Sequence, residues 1–161
     1  MLRTHTLSLS PLAMALFVIF VIAERPVPAQ GTNPRLGKWK LKSTNPAPAS
    51  NVMTYEKFGQ DGMKIIIDAV NKDGVHSQWF YTTNFDGKDE PITGNPGADH
   101  GSVRVITPSI NEIVYKKDGK VTQVLTNVLS RDSNTIAVVY MRQDSAGKIS
   151  DVTFATYERM P

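Results

Sequence analysis

No cysteine occurs among the 161 residues of the chain. Disulfide staples, thiolate chemistry and a lipid-modified cysteine are therefore excluded. Histidine is scarce as well, with three in all. His76 and His100, with Asp89, Glu90 and Asp99, are the loosely grouped donors, and none stand at the short spacing of a preformed zinc site. A Gly-x-Ser-x-Gly nucleophile elbow is missing. The adjacent carboxylates Asp89 and Glu90 would point to opposite faces of a strand. These absences set the expectation of no catalytic residue, no metal and no cofactor: a protein that is not an enzyme. Charge of one sign is lacking too, for 18 Lys and Arg face 15 Asp and Glu, a net +3. The signs are interspersed and the only adjacent basic pair is Lys116-Lys117. Nucleic-acid binders concentrate positive charge in a patch, so nucleic acid is not an expected partner.

Long apolar runs are equally few. The uncharged stretch from Leu12 to Ala23 is short of the roughly 20 residues a membrane span needs. Arg3 precedes it, Glu24-Arg25 end it, and Val27-Pro28-Ala29 supply small residues at −3 and −1 of a cut before Gln30. That layout is a secretory signal peptide over residues 1–29. The expectation is an exported protein, periplasmic or extracellular, with no membrane span after cleavage. Residues 30–161 then form the mature chain. Loss of Arg3, Arg25 and Glu24 brings its net charge from +3 to +2. A chain of that size buries roughly two-thirds of its unfolded surface, enough for one self-sufficient core.

What remains is strand material. Residues 30–35 read as a flexible lead-in, and 36–161 as one domain. Asp61-Gly62, Asp73-Gly74, Asp86-Gly87 and Asp118-Gly119 are hairpin signals, with Ala146-Gly147-Lys148 a weaker fifth. Between them lie runs of alternating, β-branched and aromatic residues. They predict strands over 36–43, 52–58, 62–70, 75–85, 89–93, 101–107, 110–117, 120–130, 134–142 and 149–158. No helical periodicity appears over 11 or more residues after the leader. Prolines 46 and 48 keep 44–51 a loop, and Thr93 to Gly101 holds three glycines and a proline. A meander this long leaves two sticky edges unless it closes. The fold expected is all-β: a single antiparallel up-and-down barrel of about eight to ten strands.

Gly37-Lys38-Trp39-Lys40-Leu41 resembles the Gly-x-Trp opening of the lipocalins and the Gly-x-Trp-Lys-Leu opening of intracellular fatty-acid-binding proteins. Thr156-Tyr157-Glu158-Arg159 resembles the closing strand of the latter. With the leader, Asp86-Gly87-Lys88, Thr93-Gly94-Asn95-Pro96 and Asp118-Gly119-Lys120, the chain is similar to a group of uncharacterised exported bacterial proteins with a lipocalin-like, calycin-type barrel. The resemblance implies that Arg159 lies over Trp39 as a plug joining first and last strands. Two differences stand beside it. Residues 44–51 leave no room for the helical lid of fatty-acid-binding proteins, and Ala155 stands where their carboxylate-clamping arginine would precede Tyr157.

Trp79, Tyr81 and Phe85 share one face of the strand predicted at 75–85. With Ile65, Ile67, Tyr140 and Tyr157 they are the candidate ligand-binding residues of the barrel interior, while Trp39 and Arg159 are the structural pair that closes it. Met63, Ala69, Val103 and Val105 are expected to share that interior. The function expected is non-catalytic binding of a small apolar molecule within the barrel. The alternative is a structural or interaction module of the cell envelope whose barrel is filled by its own side chains.

Overall fold

The structure is a computed structural model that describes residues 33–43 and 49–161. The expected signal peptide, the lead-in as far as residue 32 and the prolines of the first loop lie outside the described residues. Ten strands follow in order: β1 (Gly37–Leu41), β2 (Ser50–Phe58), β3 (Gly62–Val70), β4 (His76–Thr83), β5 (Glu90–Pro91), β6 (His100–Thr107), β7 (Ile110–Lys117), β8 (Lys120–Leu129), β9 (Thr135–Gln143) and β10 (Ile149–Arg159). Every pairing is antiparallel, and the sheet runs β4-β3-β2-β1-β10-β9-β8-β7-β6-β5. Each strand thus pairs with its sequence neighbours, and the exception is the bond of first strand to last. There Trp39 sits opposite Arg159 and Leu41 opposite Tyr157.

The remaining gap, between β4 and the β5–β6 pair, closes through two isolated bridges, Phe80 with Thr93 and Asp86 with Arg104. Phe80 and Thr93 exchange backbone hydrogen bonds of 3.0 and 2.9 Å, and the Gly87 amide donates to Val103 at 3.0 Å. The result is an all-β, nearly closed barrel with no helix among the described residues. β5 is two residues long where 89–93 was expected. Pro91 has no amide to extend a ladder, and the Ile92 amide turns back to the Asp99 carbonyl at 2.8 Å.

Side chains alternate between core and solvent as period 2 demands. Met53 and Tyr55 on β2, Met63, Ile65 and Ile67 on β3, Ile113 and Tyr115 on β7, Leu125 on β8, and Ile136 and Val138 on β9 form one buried cluster with Trp39 and Tyr157. Two expectations need correction. Val105 is 49% exposed, because β5 covers only Gly101 and His100 and the segment at Asp86 and Gly87 flanks β6 no further than Arg104. Phe85 lies beyond the end of β4, at φ 60°, with its amide donating to Thr83 Oγ1 at 2.9 Å. The alternation of the strand therefore stops before reaching it.

The reversals sort into two ends. Turns at 59–61, 84–89, 108–109 and 130–134 share one end with the segment before β1. The loops at 71–75, 92–99, 118–119 and 144–148 share the other with the end of β1.

Candidate ligand-binding site

The first end is sealed by side chains. The Arg159 guanidinium lies 4.2 Å from the Trp39 ring centroid. Its Nε donates to Ser133 O at 2.9 Å, its Nη1 to Leu36 O at 2.8 Å and its Nη2 to Pro34 O. Trp39 is fully buried, and its Nε1–H donates to Arg35 O at 2.9 Å. Gly37 explains the glycine of the opening motif. Its φ is +119°, and a Cβ there would meet Arg159 Nη1 at 3.2 Å, so a side chain would strain the backbone and crowd the plug.

A second arginine lies beneath this layer. Arg35 is only 4% exposed, although the sequence places it in a flexible lead-in. Its Nη2 donates to Ser109 O at 2.7 Å, its Nη1 to Pro108 O at 3.3 Å and its Nε to Asn127 Oδ1 at 3.4 Å. Asn127 passes the chain on, donating from Nδ2 to the Tyr55 hydroxyl at 3.2 Å. Burial pushes the pKa of Arg35 down, and these acceptors compensate its charge.

Above that floor is a cavity of about 390 Å³ inside the barrel, within the range of small-molecule sites. Ile65, Ile67, Trp79, Tyr81, Tyr140 and Tyr157 all line it, so six of the seven candidate residues meet there. Phe85 does not; it packs against the core from outside the cavity. Trp79 stacks on Tyr81 at 6.0 Å between centroids, and Tyr115 meets both edge-on at 5.6 and 5.9 Å. The Tyr81 and Tyr115 hydroxyls are 3.4 Å apart, those of Tyr140 and Tyr157 3.1 Å. Burial raises the pKa of all five tyrosines, Tyr81 to about 12. The interior is thus an aromatic and aliphatic chamber whose hydroxyls stay neutral.

Polar groups line the cavity near the second end. Asn51, Asn95, Gln123 and Arg142 belong to its wall. Asn95, Gln123 and Arg142 also border a further space of about 320 Å³ beneath the 92–99 loop, beside Tyr115 and Thr122. Among the described residues the side chains of Asn51, Gln123 and Arg142 engage no hydrogen-bond or ionic partner, and Asn51 Oδ1 is buried. The sequence reading omitted these residues. Arg142 continues the face of Ile136, Val138 and Tyr140 by two residues, and Gln123, Leu125 and Asn127 alternate in the same way, so the signal was period 2 carried to the strand ends. Asp99 and His100, considered as metal donors, hold a loop instead. Asp99 accepts from the Asp118 amide at 2.8 Å and contacts His100 Nδ1 at 2.9 Å. Among the described residues no three metal-ligating side chains converge.

A ten-stranded antiparallel barrel, plugged at one end and hollow above the plug, is the class of protein that fold and site define. Solved structures share the fold. The fluorescent protein UnaG in its wild-type form is similar with a TM-score of 0.52 at 15% identity, over 78% of this chain and 96% of that one. An asparagine-to-alanine mutant of UnaG gives 0.53 at 15% identity, over 80% and 97%. At such identity the likeness is one of fold. No protein-family model and no curated protein matches the sequence.

Proposed function

We propose that the mature protein is a non-catalytic carrier of a small, mainly apolar molecule held inside the barrel. One observation carries this reading: the 390 Å³ chamber walled by Trp79, Tyr81, Tyr115 and aliphatic side chains. A barrel filled by its own side chains has no such space. The likeness to UnaG supports the reading at the level of architecture, since that fold encloses an interior. Export rests on the leader at residues 1–29, and amino-terminal sequencing of the secreted protein should begin at Gln30.

The neutral fluorophore N-phenyl-1-naphthylamine tests the chamber. Wild-type protein should enhance its emission saturably. Ala155→Trp, which places an indole inside the wall, should abolish the enhancement while leaving a cooperative thermal transition. A folded wild type that takes up no probe, or uptake indifferent to Ala155→Trp, would overturn the proposal.

A further inference from the structure

Resting on that reading, we propose that the natural occupant is an amphiphile with one terminal anionic group, bound with the anion at the cavity mouth against Arg142 and its apolar body toward the Trp39 plug. The two ends of the cavity contrast. At the floor both arginines are already engaged. Arg35 donates to Ser109, Pro108 and Asn127, while Asn127 both accepts from Arg35 and donates to Tyr55. Arg159 is spent on Pro34, Leu36 and Ser133 and faces the indole of Trp39. Among the described residues that line the cavity or its plug, an anion sent to the floor would meet no unengaged cation and would leave water uncompensated.

The mouth is the reverse. Arg142 lines the cavity, and among the described residues its side chain has no partner. Asp151 lies directly across the ladder from it, yet no ion pair joins them among the described residues. Gln123, the other cross-strand neighbour of Arg142, carries an amide that also has no partner among the described residues. Asn51 Oδ1 is a buried acceptor without a donor among the described residues, which suits an occupant that also carries a hydroxyl or N–H. Between these groups and the floor the wall is Met53, Ile65, Ile67, Trp79, Tyr81 and Leu125. The tyrosines there have raised pKa values because burial disfavours negative charge. Charge is therefore favoured at one end of the chamber and disfavoured along the rest.

A matched pair of probes separates this claim from simple apolar binding. 8-Anilinonaphthalene-1-sulfonate and N-phenyl-1-naphthylamine share a skeleton and differ by the sulfonate. Arg142→Gln should weaken sulfonate binding roughly fivefold to tenfold, as expected for an ionic contact open to solvent, and leave the neutral probe unchanged. Arg142→Lys should retain most of the sulfonate affinity. Lys57→Gln, the same charge loss near the plugged end, should retain all of it. Equal sulfonate affinity in wild type and Arg142→Gln, with the neutral probe still bound, would overturn the orientation but keep the carrier reading. Failure of both probes to bind wild type would overturn both.

Discussion

At the scale of single residues, the two tryptophans do different work. Trp39 is buried between Arg159 and the Arg35 carbonyl, whereas Trp79 is half-buried in the cavity wall. Truncating a fully buried tryptophan costs about 3–5 kcal/mol, a large part of the roughly 5–15 kcal/mol a domain possesses. Trp39→Ala should lower the urea midpoint severely. Trp79→Ala should lower it less and change probe affinity. The opposite ranking would remove the plug from the account. The tyrosines give a second prediction, in pH. All five of the chain's tyrosines are buried or nearly so, and burial raises their pKa above the ordinary 10.0, in Tyr81 to about 12. In the unfolded chain they ionise near pH 10, so above it the unfolded state binds fewer protons and stability falls as pH rises. Their contribution is whole below pH 10 and is lost upward from there. Absorbance at 295 nm should show no tyrosinate until the fold is lost, and then all five at once. Gradual ionisation near pH 10 with the circular dichroism intact would contradict the buried cluster.

Among elements, the weakest join is the seam where β4 meets β5. Elsewhere the ladders are long: β2 and β3 pair from Ser50 with Val70 to Phe58 with Gly62. At the seam two isolated bridges serve instead. Gly94, at φ +87°, makes that approach possible, for a Cβ there would lie 2.5 Å from the Gln78 carbonyl oxygen. Few cross-strand bonds mean local opening at low free-energy cost. Hydrogen exchange should find the Phe80 and Thr93 amides many-fold faster than those of Ile65 and Ile67. Gly94→Ala should accelerate them further and destabilise the protein by more than about 1 kcal/mol. Uniform protection around the barrel would mean that the seam is no weaker than the ladders.

For the whole molecule, the order and number of strands were legible because alternation and Asp-Gly turns are local signals. The strand expected at 62–70 is β3 and that at 110–117 is β7. The antiparallel joining of first and last strands followed from the need to remove sheet edges. Six of seven wall residues could be placed because period 2 holds within a strand. Phe85 and Val105 could not, since where a strand ends or loses its flanking neighbour depends on other segments. Arg35 was hidden for a related reason: its burial comes from carbonyls of Pro108 and Ser109, more than seventy residues away. That Arg142 has no partner among the described residues is likewise a property of the assembled mouth.

A small molecule held in the chamber above the plug touches one end of the barrel and not the other. With only two tryptophans in the chain, the indole N–H resonances of ¹⁵N-labelled protein report on its two ends. Titration with N-phenyl-1-naphthylamine should shift the Trp79 resonance saturably and leave that of Trp39, held by the Arg35 carbonyl, in place. A Trp39 shift with Trp79 unmoved, or no shift of either at saturating probe, would contradict an occupied interior.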